Sequence, residues 1–173
     1  MFHEMPVLAI LASARSDGHT ASLLDLVVRD RAVTRMDLRA MNLTHYEYEQ
    51  PVDRDDFASI AEAFIAHRVI VVATPVYWYA MSGRLKVLMD RFTDLVTVRK
   101  DLGRQLAGRH LFVVVSGTDR EIPEGFDVPF RRTAEYLGMK YGGTLYVSRK
   151  HAADPARMAS EFAQVVFDAD REP

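Results

Sequence analysis

The 173-residue chain contains no cysteine. That absence excludes intrinsic disulfides, thiolate nucleophiles, Cys-ligated zinc and Cys-held iron–sulfur clusters, so any redox chemistry has to come from a bound cofactor. A surplus of charge of one sign is also missing: 22 basic side chains against 24 acidic ones leave a formal net charge of −2. Near neutrality argues against a nucleic-acid binder with a broad basic face, and against the strongly acidic surface of a dedicated electron shuttle. Long hydrophobic runs are lacking too. The apolar stretch near the amino terminus is too short to span a membrane and has neither a charged lead-in nor a cleavage site, so it reads as a first strand. The expected location is the cytoplasm, with neither membrane nor nucleic acid as partner.

Several signature motifs are absent. Without the glycine–lysine phosphate loop of NTPases or the three-glycine turn of dinucleotide-binding folds, a tightly held ATP or NAD in those modes is disfavoured, and a monophosphate fits better. There is no glycine-x-serine-x-glycine elbow for a hydrolytic serine. The six histidines show no pair at zinc-binding spacing and read as surface or capping groups.

What is present is an ordinary globular balance, 49% hydrophobic and 27% charged. A chain of this length buries roughly 70% of its unfolded surface, enough for one domain over residues 1–173. Short apolar runs at Val7 to Leu11, Val69 to Ala73 and Leu111 to Val115 predict strands covered on both faces. Val33 to Leu38 alternates and Thr144 to Val147 is half polar, which suits sheet edges. Helical stripes lie between them: Leu23, Leu24, Val27 and Val28; Phe57, Ile60, Ala61, Phe64 and Ile65 after an N-cap at Asp53; Leu85, Leu88, Met89, Phe92 and Leu95 after Ser82. Two more follow, Phe130, Ala134 and Leu137 stopping at Gly138, and Met158, Phe162, Val165 and Val166 opened by Asp154 and Pro155. Five strands alternating with five helices predict an α/β fold, a doubly wound five-stranded parallel sheet with helices on both faces and the order 2-1-3-4-5. In that order ligands sit beyond the strand carboxyl ends, beside the first and third strands.

Three loops belong at that end. The first, Ser13 to Thr20, leads into a helix whose free amides and dipole favour an anion. There Ser13 and Thr20 offer hydroxyls, Arg15 a guanidinium and His19 a ring N–H, while Gly18 permits a turn that strains other residues. The same loop also reads as an ordinary connection rich in cap residues. The second loop, Thr74 to Gly83, sets Val76, Tyr77, Trp78 and Tyr79 behind Pro75. Adjacent aromatics at a strand terminus suit a flat ring, or else cover the core or a subunit contact. The third, Ser116-Gly117-Thr118-Asp119, brings small residues and free amides.

Together these segments resemble the NAD(P)H-dependent FMN reductase and quinone reductase family of the flavodoxin-like superfamily. The resemblance rests on Ser-x-Arg-x-x-Gly-x-Thr, matched by Ser13, Arg15, Gly18 and Thr20, and on Pro-x-Tyr followed by a helix with Leu-Lys and Asp-Arg. Pro75, Tyr77, Leu85, Lys86, Asp90 and Arg91 match the second pattern. It implies an FMN cofactor, its phosphate in the first loop and its isoalloxazine against the second, with Ser116 and Gly117 as a third contact. It also implies NAD(P)H as transient co-substrate, a small-molecule electron acceptor such as a quinone, and a homodimer or homotetramer. The chain departs from the pattern at Ala12, where many relatives have glycine, and at His19, where asparagine is common. Tyr46, Glu47 and Tyr48 stand where some branches carry cysteines.

In such a reaction the flavin bears the hydride chemistry and no catalytic side chain is required. Lys86 and Asp90 read as a helix-surface pair, Arg91 similarly, and Arg131 with Arg132 as a solvated basic pair or a nucleotide-phosphate contact. Apolar residues on several sides of the third helix, including Met81, Val87 and Val96, suggest a subunit contact. Two other functions compete: a flavodoxin-type electron carrier, and a flavodoxin-like binding or regulatory module without redox activity.

Overall fold

The three unbroken apolar runs form the middle of the sheet. In the computed structural model, which describes residues 7–29, 31–49, 51 and 54–171, β1 (Val7–Leu11), β3 (Val69–Pro75) and β4 (His110–Gly117) are buried along their whole length. The mixed segments become edges: β2 (Val33–Asp37) is half-exposed, and β5 (Lys140–Ser148) is buried only toward its carboxyl end. All neighbours pair in parallel in the order β2-β1-β3-β4-β5.

Helices cover both faces because the strands alternate their side chains. Leu8, Ile10, Ile70, Val72, Val113 and Val115 face one core with α2 (Phe57–Ala66), α3 (Gly83–Thr97) and α5 (Val128–Tyr136). Val7, Ala9, Val71, Phe112 and Val114 face the other, under α1 (His19–Val27) and α6 (Pro155–Ala169). Each such apolar side chain contributes about 1.5–3 kcal/mol by burial. The Ser82 and Asp154 side chains cap α3 and α6, accepting from the Leu85 and Arg157 amides at 3.2 and 2.9 Å. Gly138, at φ 70°, ends α5 as expected. Asp53 lies outside the described residues; the residue that opens α2 is Asp56, whose side chain makes no cap.

Several expectations need correction. A further single-turn helix, α4 (Lys100–Gly103), runs into a 3-10 turn at Arg104–Leu106, so the helices exceed five. That stretch is too short to carry a readable period. β5 is longer than its apolar segment because it begins before a bulge at Gly142 and Gly143, which look like breakers in sequence. A side chain at Gly142 would collide with the Phe112 ring at 2.1 Å, so the ring's position requires the glycine. His110 is buried rather than superficial, stacked on Phe112; His67 is buried too but does cap a helix, its ring between the carbonyl of Ala63 in the last turn of α2 and the Thr34 hydroxyl.

Arg91 is not a surface residue like Lys86, which does pair with Asp90 at 2.5 Å in the open. Its side chain is fully buried, bonded to Asp55 at 2.5 Å and to Asp94 at 2.7 Å, with the guanidinium over the Phe57 ring. Helix spacing alone cannot reveal this, since Asp55 comes from the segment before α2. Met81 belongs to the chain's own core and Val96 packs against it, which removes most of the reason for reading a subunit contact into that helix. Arg131 lies near Asp127 and Glu135, and Arg132 near Glu135, as expected of a solvated pair.

Candidate functional site

The three loops meet at the carboxyl rim of the sheet, joined by hydrogen bonds between residues far apart in sequence. Thr20, in the first turn of α1, and Ser116, near the end of β4, bring their hydroxyls within 2.7 Å, both side chains buried. The Val76 amide donates to the Ser116 carbonyl at 2.9 Å, tying the second loop to the third. The Ser82 hydroxyl donates to the Ala12 carbonyl at 2.6 Å, tying the start of α3 to the end of β1. Ala12 is fully buried, its amide on the Ala73 carbonyl at 2.8 Å, so alanine is accommodated there without disturbing the rim.

In the first loop, Ser13 is buried and its Oγ accepts from the Arg15 amide at 3.3 Å. The Arg15 side chain is 77% exposed, with Asp17 3.9 Å away. α1 starts at Gly18 without a side-chain cap and without an acidic residue in its first turn, so its leading amides and dipole face the rim uncompensated. Gly18 has φ −89°, a conformation open to any residue; the expectation that its turn strains other residues is therefore wrong. His19 is exposed on the same turn. Of the two hydroxyl hydrogens on Thr20 and Ser116, one is used between them and the other remains for a ligand or a neighbour.

The second loop is a tight hairpin. Tyr77 and Ala80 exchange backbone hydrogen bonds of 2.9 and 3.1 Å around Trp78 and Tyr79. Both central residues are left-handed, φ 48° and 65°, the pattern of a two-residue primed turn that asparagine and glycine normally fill. Large aromatics there carry backbone strain. The hairpin holds Tyr77, Trp78 and Tyr79 outward at 45, 93 and 71% exposure. Pro75 is the last residue of β3 rather than part of the loop, and Ser116 and Gly117 likewise end β4.

Sequence reasoning missed three participants. Asp37, at the end of β2, accepts from the Ser16 hydroxyl at 2.6 Å and the Arg39 amide at 2.9 Å, bracing the first loop from the sheet edge. Thr74 accepts from the Ser82 amide at 3.0 Å and so sets the base of the hairpin. Tyr146, on β5, donates to the Asp119 carbonyl at 2.9 Å. A strand-end position at the rim was the signal available for Asp37, and a glycine closing a buried strand, Gly117, was the signal for a large neighbour such as Tyr146.

The model of the NADPH-dependent FMN reductase family matches residues 5–154. The chain belongs to that family. FMN is its cofactor and a reduced nicotinamide its electron donor. A Bacillus subtilis relative named as an NAD(P)H-dependent FMN-containing oxidoreductase, YwqN, is 26% identical over 155 residues, which cover 80% of this chain and 82% of the relative. Two solved structures show the same fold. The Trp repressor binding protein from Bacillus subtilis is 24% identical with a TM-score of 0.69, covering 95% of this chain and 98% of its own. The NADPH-quinone reductase from P. pentosaceus is 18% identical with a TM-score of 0.70, covering 93% and 97%. Among the described residues no helix is long and apolar enough to cross a membrane.

The rim fits FMN on its own geometry. The uncapped start of α1 beside exposed Arg15 suits a phosphate dianion, and the aromatic hairpin across the rim suits a flat ring.

Proposed function

We propose that this chain is an NAD(P)H-dependent flavin oxidoreductase that holds FMN at the carboxyl rim and passes electrons to a small flat acceptor, a quinone or a free flavin. The observation that carries this reading is the convergence of an anion-ready helix start and an outward aromatic hairpin on one rim, coupled through Ser116. Arg15 and the leading amides of α1 hold the phosphate; Ser13, Gly18, His19 and Thr20 shape that cradle. Pro75, Val76, Tyr77, Trp78, Tyr79, Ser116 and Gly117 would border the ring. Bound FMN would supply the hydride and two-electron chemistry, and the chain supplies grip, orientation and an open face that donor and acceptor use in turn. Near-neutral charge favours small reactants over a protein partner. We also propose that the chain works in the cytoplasm as a homodimer or homotetramer.

The decisive experiment is anaerobic titration of the FMN-loaded chain with NADPH and NADH, followed by addition of a quinone. Rapid bleaching and reoxidation support the enzyme. A yellow protein inert to both nicotinamides points to an electron carrier, and failure to bind FMN at all points to a module without redox activity.

A further inference from the structure

The turn after β4 has an unusual backbone arrangement. Three successive carbonyls are tied to β5 or the residue just beyond it. Gly117 O accepts from the Arg149 amide at 2.9 Å, Thr118 O from the Ser148 hydroxyl at 3.3 Å, and Asp119 O from the Tyr146 hydroxyl at 2.9 Å. In an extended strand consecutive carbonyls alternate in direction, so three on one side mean that the chain curls here. A trans peptide places each N–H opposite the preceding carbonyl, and no cis bond is present among the described residues. The amides of Thr118, Asp119 and Arg120 therefore point away from these three donors. The Gly117 carbonyl faces the β5 side, so the Thr118 amide opposite it faces the β3 side, where the aromatic hairpin follows. None of the three donates a hydrogen bond among the described residues.

Successive amides presented on one side of a curled backbone form a concave, partly positive surface that favours anionic or carbonyl-rich groups. The two side chains that create it are fixed in turn. Ser148 is buried and also accepts from the His151 amide at 3.2 Å. Tyr146 lies so close over the end of β4 that a Cβ on Gly117 would meet its hydroxyl at 2.5 Å, so Gly117 is the residue that lets the phenol reach the turn. Burial raises the Tyr146 pKa, which keeps the phenol protonated and donating.

We infer that Tyr146 and Ser148 are positioning residues that hold three backbone amides against the carbonyl-bearing edge of the flavin, where electron density rises on reduction. The inference rests on the proposed FMN site. Amides fixed beforehand stabilise charge without reorganising when it arrives, so they favour reduced flavin over oxidised.

The test is the midpoint potential of bound FMN in the wild-type chain, in Tyr146→Phe and in Ser148→Ala, together with the Kd for oxidised FMN. Phenylalanine keeps the ring over Gly117 and deletes only the hydroxyl. We expect Tyr146→Phe to bind oxidised FMN within about threefold of wild type and reduced FMN about tenfold more weakly, a fall of about 30 mV for a two-electron couple. Ser148→Ala shifts it in the same direction. Equal potentials in all three proteins overturn the inference while leaving the FMN site standing. A wild-type chain that takes up no FMN overturns both.

Discussion

Thr20 and Ser116 stand 96 positions apart in the chain and share a buried hydrogen bond of 2.7 Å. It clamps the start of α1 to the end of β4. Valine in place of Thr20 keeps the shape but leaves the Ser116 hydroxyl short of a partner, which costs about 1–3 kcal/mol. We expect the urea midpoint of the FMN-free Thr20→Val chain to fall accordingly. FMN affinity falls with it, because the two sides of the rim lose their common anchor.

Arg15 is different because almost nothing in the fold depends on it. Its side chain is 77% exposed and its nearest charged neighbour, Asp17, is 3.9 Å away. Arg15→Ala therefore leaves the unfolding midpoint unchanged and weakens FMN binding by about 1.5–3 kcal/mol, the scale of a hydrogen bond to a charged group. Fluorescence titration of FMN measures it, and unaltered affinity removes Arg15 from the phosphate cradle.

The strand order was legible because burial is written directly into residue type: β1, β3 and β4 are continuous apolar runs, while Thr34 and Arg35 mark an edge. The position of the loops followed from that order. The bracing of the rim was not legible. Tyr146 reaches Asp119 across 27 positions and Arg91 reaches Asp55 across 36, and neither contact leaves a periodic trace in the chain. Positive φ at Trp78 and Tyr79 was equally hidden, since aromatic residues contradict the local preference for such a turn.

That contradiction yields a prediction. Left-handed non-glycine residues cost on the order of 1–3 kcal/mol each and persist at functional sites. Replacing Trp78-Tyr79 with Asn-Gly supplies the residues the turn prefers, so thermal stability rises by about 1–2 kcal/mol. At the proposed site the exposed rings are then gone, so kcat/KM for NADPH-driven reduction of the acceptor falls. A variant that is more stable and fully active assigns the aromatics no part in ligand contact.

Asp55 gives the molecule a defined acid response. Burial pushes its carboxyl upward, but hydrogen bonds from Arg91, from the Thr44 hydroxyl and amide and from the Phe57 amide outweigh it and bring the pKa from 3.8 to about 2. A carboxylate whose pKa is lower in the folded state stabilises the fold above its unfolded pKa. That contribution is lost as pH falls through the folded value, so the window here runs from about pH 4 down to about pH 2. The size of the loss is on the order of 2 kcal/mol. Asp55→Asn should remove this part of the acid response. It also takes the Asp55 carboxylate from Arg91, which has no exposed surface, and breaking a buried pair in this way costs about 3–5 kcal/mol even at neutral pH. Urea unfolding from pH 7 to pH 2 separates the effects. Wild type loses stability steeply in the acid window, whereas Asp55→Asn starts lower and follows a shallower slope; parallel curves would mean that the Asp55 carboxylate does not titrate with folding.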